Sequence, residues 1–110
     1  MVHFFAMHND IEMMKYIISH GYDIHRNNNV LLSASGWGKY EMVEYLLSLG
    51  IDVHINNDSP LQLAVQTAVN NNKFNVVKLL LDNDALPNEE VYKIAKKNDK
   101  VKEVLNKYNF

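Results

Sequence analysis

Met42-Val43-Glu44-Tyr45-Leu46-Leu47-Ser48-Leu49-Gly50-Ile51-Asp52-Val53-His54 echoes the earlier stretch Met13-Met14-Lys15-Tyr16-Ile17-Ile18-Ser19-His20-Gly21-Tyr22-Asp23-Ile24-His25, with Met, Tyr, Ser, Gly, Asp and His recurring at the same places. The offset is 29 residues (42 − 13). Self-similarity at a fixed period of this size indicates stacked supersecondary units, each covering its neighbour's apolar face. Such a stack presents a long surface and rarely a deep pocket.

A third copy lies at Phe74-Asn75-Val76-Val77-Lys78-Leu79-Leu80-Leu81-Asp82-Asn83-Asp84-Ala85, with Val76 aligned to Met42 at an offset of 34. The three copies carry apolar trios at the same places: Met14, Ile17, Ile18; Val43, Leu46, Leu47; and Val77, Leu80, Leu81. The i, i+3, i+4 spacing sets each trio on one stripe of a helix. Gly21 and Gly50 then stand where a left-handed residue closes a helix. Next comes Asp-Ile/Val-His, a short extended segment. The polar clusters Arg26-Asn27-Asn28-Asn29 and Asn56-Asn57-Asp58 follow as turns, because Asn and Asp tolerate positive φ. After each turn a further helix begins. Its clearest start is Ser59-Pro60-Leu61-Gln62-Leu63-Ala64, with Ser59 as N-cap and Pro60 at the first helical position. Asn29-Val30-Leu31-Leu32-Ser33-Ala34 is the matching segment. Ala34 and Ala64 are small where two helices must approach closely.

Each unit is therefore a turn, a short helix, a loop, a longer helix and an extended turn. It resembles the ankyrin repeat. Ser59-Pro60-Leu61-Gln62-Leu63-Ala64 is similar to that family's Thr-Pro-Leu-His-x-Ala signature. Gly38-Lys39-Tyr40-Glu41-Met42-Val43-Glu44-Tyr45-Leu46-Leu47 resembles its second helix, and Gly50-Ile51-Asp52-Val53-His54 its lead into a β-hairpin turn. The resemblance implies an all-α ankyrin-like solenoid with short β-hairpin-like turns, formed as a single domain over residues 1–110. The expected division is a partial or N-terminal repeat at about 1–26, repeats at 27–55 and 56–87, and a capping repeat at 88–110. The second full repeat carries an insertion of four residues near 66–72, expected to lengthen its first helix or bulge its loop. The 29-residue step is shorter than the usual ankyrin period, which implies abbreviated fingers. The short turn, the Asp-Ile/Val-His form and the asparagine content are most similar to ankyrin proteins of giant DNA viruses, with low-GC protists a second source.

Composition narrows the function. The net charge of −2 does not suit a general nucleic-acid or membrane-surface binder. The absence of cysteine excludes a disulfide framework and a thiol nucleophile. No apolar run reaches membrane-spanning length, and no secretory leader is evident, so an intracellular, cytoplasmic protein is expected, in host cytoplasm if viral. Fifteen Asn and ten Lys stand beside one Arg, a bias read as AT-rich coding rather than as a binding surface. Six of the lysines fall in residues 88–110 and give that end the polar face a terminal repeat needs. At the other end Val2, Phe4, Phe5 and Met7 form either the first helix of an incomplete repeat or the cut edge of a larger stack. The chain is expected to be monomeric, with association possible through that apolar face.

His25, His54, Asp23 and Asp52 invite a catalytic or metal-binding reading. They recur in successive units, as framework residues do and catalytic groups do not. No cofactor or metal is expected. The preferred function is a non-catalytic protein-interaction module. Fragment of a larger scaffold or host adaptor, and small metal-dependent enzyme, are the alternatives. The resemblance places a protein partner on the concave face, made of the fingers Arg26, Asn27 and Asn28, then Ile55, Asn56, Asn57 and Asp58, and of the exposed first-helix positions Gly36, Trp37, Gln66 and Thr67. Trp37 reads two ways: an interaction hot spot, or a ring folded back beside Gly36 and Gly38.

Overall fold

A computed structural model describes residues 2–26 and 29–110; Met1, Asn27 and Asn28 lie outside the described residues. Eight helices follow one another among them: α1 (Val2–Met7), α2 (Ile11–Ser19), α3 (Asn29–Gly36), α4 (Tyr40–Ser48), α5 (Ile55–Asn71), α6 (Asn75–Asp82), α7 (Glu89–Lys97) and α8 (Asp99–Lys107). They pair as α1/α2, α3/α4, α5/α6 and α7/α8. Helices α1, α3, α5 and α7 pack in one row, and α2, α4 and α6 in a second. The result is a slab of 45 × 22 × 18 Å, an all-α solenoid.

The apolar stripes explain the stacking. Met14, Val43, Leu46, Val77 and Leu80 are all buried. A fully buried side chain of this size contributes about 1.5–3 kcal/mol over an exposed one. The first-row helices meet at Ala6, Ala34, Ala64 and Ala95, all buried. Each lacks a side chain beyond Cβ that would hold the neighbouring backbone away.

Chain reversal depends on left-handed residues. Seven helices end on one: Asn9, Gly21, Gly38, Gly50, Asn72, Asp84 and Asn109 all have positive φ. After α2 the Gly21 amide donates to the Ile18 carbonyl at 3.0 Å and the Tyr22 amide to Ile17 at 3.1 Å. After α6 Asp84 and Ala85 make the same pair of bonds, to Leu81 and Leu80. These paired bonds satisfy the last-turn carbonyls and turn the chain back within two residues. Only three of the seven positions are glycine, so asparagine and aspartate share this task.

The turn between α4 and α5 differs from the expected hairpin-like form. No strand occurs among the described residues. Asn56, Asn57 and Asp58 are instead three successive left-handed residues (φ 50°, 59° and 59°) within the span of α5. The short polar side chains of Asn and Asp bring this conformation within reach. Ser59 also departs from its expected role. Its hydroxyl donates to the Asn56 carbonyl, because the left-handed turn lays that oxygen over it, and Pro60 is buried just beyond. At the far end of α5 eight positions separate Ala64 from the left-handed Asn72, against four from Ala34 to Gly38. Helix α5 is longer than α3 by about one turn.

The last pair closes the stack. Asn88 and Asn98 accept from the Val91 and Val101 amides as N-caps of α7 and α8. The Tyr108 hydroxyl donates to Asp82 Oδ1 at 2.7 Å and ties α8 back to α6. Lysines in the last turns of α7 and α8 complement the helix dipoles.

Gly21 has φ +98° and open space around a Cβ built there. Gly21→Ala should therefore cost about 1 kcal/mol through the backbone alone, whereas Asn72→Gly should be at least as stable as the parent. Urea unfolding of the two variants checks both signs.

Candidate functional site

The fingers sit where the chain passes from one pair to the next. Asp23 Oδ1 accepts from the His25 amide at 3.1 Å, and Asp52 Oδ1 from the His54 amide at 2.9 Å. The two recurring aspartates thus fold the backbone of equivalent turns, with Ile24 and Val53 buried beside them. His25 reaches the next turn: a Cβ placed at Gly50 would lie 3.9 Å from its Cε1. His54 Nδ1 lies 2.7 Å from Asp58 Oδ1. That hydrogen bond raises the imidazole pKa above its ordinary value, ahead of the opposing effect of desolvation and the smaller pull of the Asp58, Asp52 and Asp84 charges. Among the described residues no three His, Asp or Glu side chains converge as a metal site, and no helix is long and apolar enough to cross a membrane.

The finger residues proposed from sequence divide into several groups. Arg26 is exposed, its Nε 3.5 Å from Asp23 Oδ2. Asn27 and Asn28 lie outside the described residues. Asn56 and Asn57 are exposed. Ile55, expected at the surface, is instead buried; its apolar side chain enters the core as Val53 does. Asp58 is also withdrawn, with its side chain 13% exposed. Besides meeting His54, its Oδ1 accepts from the Leu86 amide at 3.1 Å. Asn88 Nδ2 donates both to the Asn57 carbonyl at 2.9 Å and to Gln62 Oε1 at 3.0 Å. The second finger is in this way bolted to the following unit. These partners lie 26 to 31 residues along the chain, one repeat away, which is why no local pattern revealed them.

The first-row positions fall on two surfaces. Gln66 is exposed on α5 and lines a shallow hollow with Val69, Asn70 and Ile94. Trp37 stands on the connection between α3 and α4 and is 60% exposed, so the ring does not fold back over the next unit. Thr67 Oγ1 donates to the Gly36 carbonyl at 2.6 Å and clamps the end of α3 to α5. Trp37 and Thr67 come together in a cleft of about 420 Å³, which extends to Lys39, Asn71 and Lys73. This cleft joins the helix–helix connections, and the fingers are not part of its lining. The sequence reading placed fingers and Trp37 on one surface; Trp37 belongs to the connection. The cleft forms where α5 lies beside the α3–α4 connection, an arrangement between units that no local pattern encodes.

Tyr45, which stands at the same repeat position as Tyr16, is half-buried with Lys15 Nζ 5.7 Å from its ring centroid. Tyr16 is exposed and stacks on His20 at 4.2 Å.

The family model for ankyrin repeats, in three copies, matches residues 2–91. Comparison with curated proteins and with solved structures gives no match.

The His54–Asp58 contact carries a pH dependence. A raised folded-state pKa makes its stabilisation complete below the unfolded histidine value and lost as pH rises through the folded one. The stability difference between the parent and His54→Gln should be larger at about pH 5.5 than at about pH 8.5. Denaturant melts of both proteins at the two pH values read it directly; an equal difference would contradict the assignment.

Proposed function

We propose that this chain, which belongs to the ankyrin-repeat family, is a non-catalytic module that binds a partner protein inside a cell. Ankyrin repeats are generally protein–protein interaction modules. The stack supports such a role physically: residues held on short, doubly bonded turns are ordered before the partner arrives, so little freedom is lost on association.

The observation that carries this reading is Trp37. It is the one tryptophan of the chain, so no other unit carries an indole at that place, and its ring stands in solvent on the wall of a cleft. Exposing so large an apolar ring has a free-energy cost that a partner would relieve. Its repeat-equivalent residue is His8 at the 29-residue offset, so nothing in the framework requires an indole there. Arg26, Asn56, Asn57, Gln66 and Thr67 are the polar positions proposed to complete the contact, with Thr67 also serving the α3–α5 clamp. The surface runs over the first-row helices and the fingers, and Trp37 extends it to the helix connections.

Trp37→Ala should move the thermal midpoint by less than about 4 °C, because an exposed ring contributes little to folding. The same substitution should abolish capture of the partner from the native cell. A larger fall in the midpoint would make Trp37 a packing residue and remove the main support for the reading. For the finger, Asn56→Gly with Asn57→Gly preserves the left-handed backbone that alanine would strain. Capture by that variant tests the finger side chains alone.

A further inference from the structure

At equivalent places in the first three units stand Asn9, Gly38 and Asn72, each four residues before the aligned Met13, Met42 and Val76. All three have positive φ, at 57°, 68° and 57°. Asn9 does more than turn the chain. Its Oδ1 accepts from the Met42 amide at 3.0 Å, and its Nδ2 donates to Glu41 Oε2 at 3.3 Å. Asn9 therefore caps the start of α4 from the preceding unit. Helix α4 needs this, because Lys39 at its own N-cap makes no side-chain bond.

One unit further on the arrangement is broken. The residue that should cap α6 in the same way is Gly38, which has no side chain. Phe74, the N-cap of α6, also makes no side-chain bond. The Val76 amide, equivalent to that of Met42, falls back on Asn75 Oδ1 of the adjoining residue at 3.0 Å. The space that a capping side chain would occupy is the cleft described above: Gly38, Asn75 and Val76 all line it. A second, independent feature points into the same place. Ser35 also lines the cleft, is fully buried, and its Oγ has no hydrogen-bond partner. A buried hydroxyl left without a partner has lost its hydrogen bonds to water and gained none in return.

We propose that this cleft is a receptor for a carboxylate: an aspartate or glutamate side chain of the partner protein enters it and caps α6 in trans, as Asn9 caps α4 in cis. The carboxylate accepts from the first amides of α6 and from the Ser35 hydroxyl, with the positive end of the helix dipole behind the amides. Lys39 and Lys73 line the opening and supply charge, while Trp37 covers the apolar part of the inserted side chain. Glu41 lines the cleft too. Its charge disfavours a dianion and leaves a monovalent carboxylate as the better fit. The inference rests on the protein-interaction reading and gives it a chemistry: an acidic residue on the partner, next to an apolar one that meets Trp37.

The probe is N-acetyl-glutamic acid α-amide, a single side-chain carboxylate, titrated at constant ionic strength into the full chain. Amide shifts of Asn75, Val76 and Val77 and the fluorescence of Trp37 report binding. Saturable changes at both are expected. Gly38→Asn restores the intramolecular cap: asparagine tolerates the φ of +68°, and a Cβ there meets only Thr67 Cγ2 at 3.9 Å. This variant should melt higher than the parent and bind the probe about tenfold more weakly. Ser35→Ala, which removes one oxygen, should keep the fold and weaken the probe several-fold. Should Gly38→Asn fail to fold, Ser35→Ala and Lys39→Gln with Lys73→Gln decide the matter. Shifts that do not saturate, or that survive these substitutions, overturn the proposal. Inorganic phosphate is titrated in parallel, and tighter binding of phosphate would overturn the carboxylate assignment. Because the probe needs no partner, its failure leaves the capture experiment with Trp37→Ala standing or falling separately.

Discussion

A helix pair in this chain has one apolar stripe and no second layer of its own to cover it. Met14, Val43 with Leu46, and Val77 with Leu80 reach full burial because another pair lies alongside. Everything else serves that stacking. The alanines at 6, 34, 64 and 95 let the first-row helices close up. The left-handed residues reverse the chain quickly enough for α2 to return beside α1, and α4 beside α3. Adjacent units depend on one another and distant ones scarcely do, which is the energetic character of a solenoid.

Asparagine takes much of the load of local geometry. Asn9, Asn72 and Asn109 end helices in the left-handed region, Asn88 and Asn98 begin them, and Asn56 and Asn57 form the finger with Asp58. The composition alone gave no reason to expect this, since a coding bias accounts for the same abundance. The two explanations are compatible: a chain rich in asparagine has at hand the non-glycine residue best suited to positive φ and to capping. The roles differ from site to site, so they leave no single motif behind.

The finger illustrates how framework and surface compete for the same residues. Asp58 and the Asn57 carbonyl hold the following unit through Leu86 and Asn88, and Ile55 is drawn into the core. What remains at the tip is the side chains of Asn56 and Asn57, with Arg26 on the preceding finger. Trp37 shows the opposite balance. It packs little, and beside it lie a helix start whose N-cap residue makes no side-chain bond, with the Val76 amide held by the adjoining Asn75, and the unpartnered Ser35 hydroxyl, local departures of the kind that gather where a surface serves something besides stability.

The periodic features were legible in the sequence. Three apolar trios, recurrent alanines, glycines closing α2 and α4 and the Ser-Pro start specify an all-α stack, because each acts through neighbours within about one helical turn. The same recurrence marked Asp23 and Asp52 as turn residues, and they fold their own turns. Contacts between units were not legible. Asn9 to Met42, Thr67 to Gly36, Asp58 to Leu86 and Tyr108 to Asp82 span 26 to 33 residues, and their geometry is set by how one layer settles on the next. Tertiary structure alone therefore decided that Ile55 is buried, that Trp37 stands free, and that the glycine in Asn9's place leaves a cleft at the start of α6.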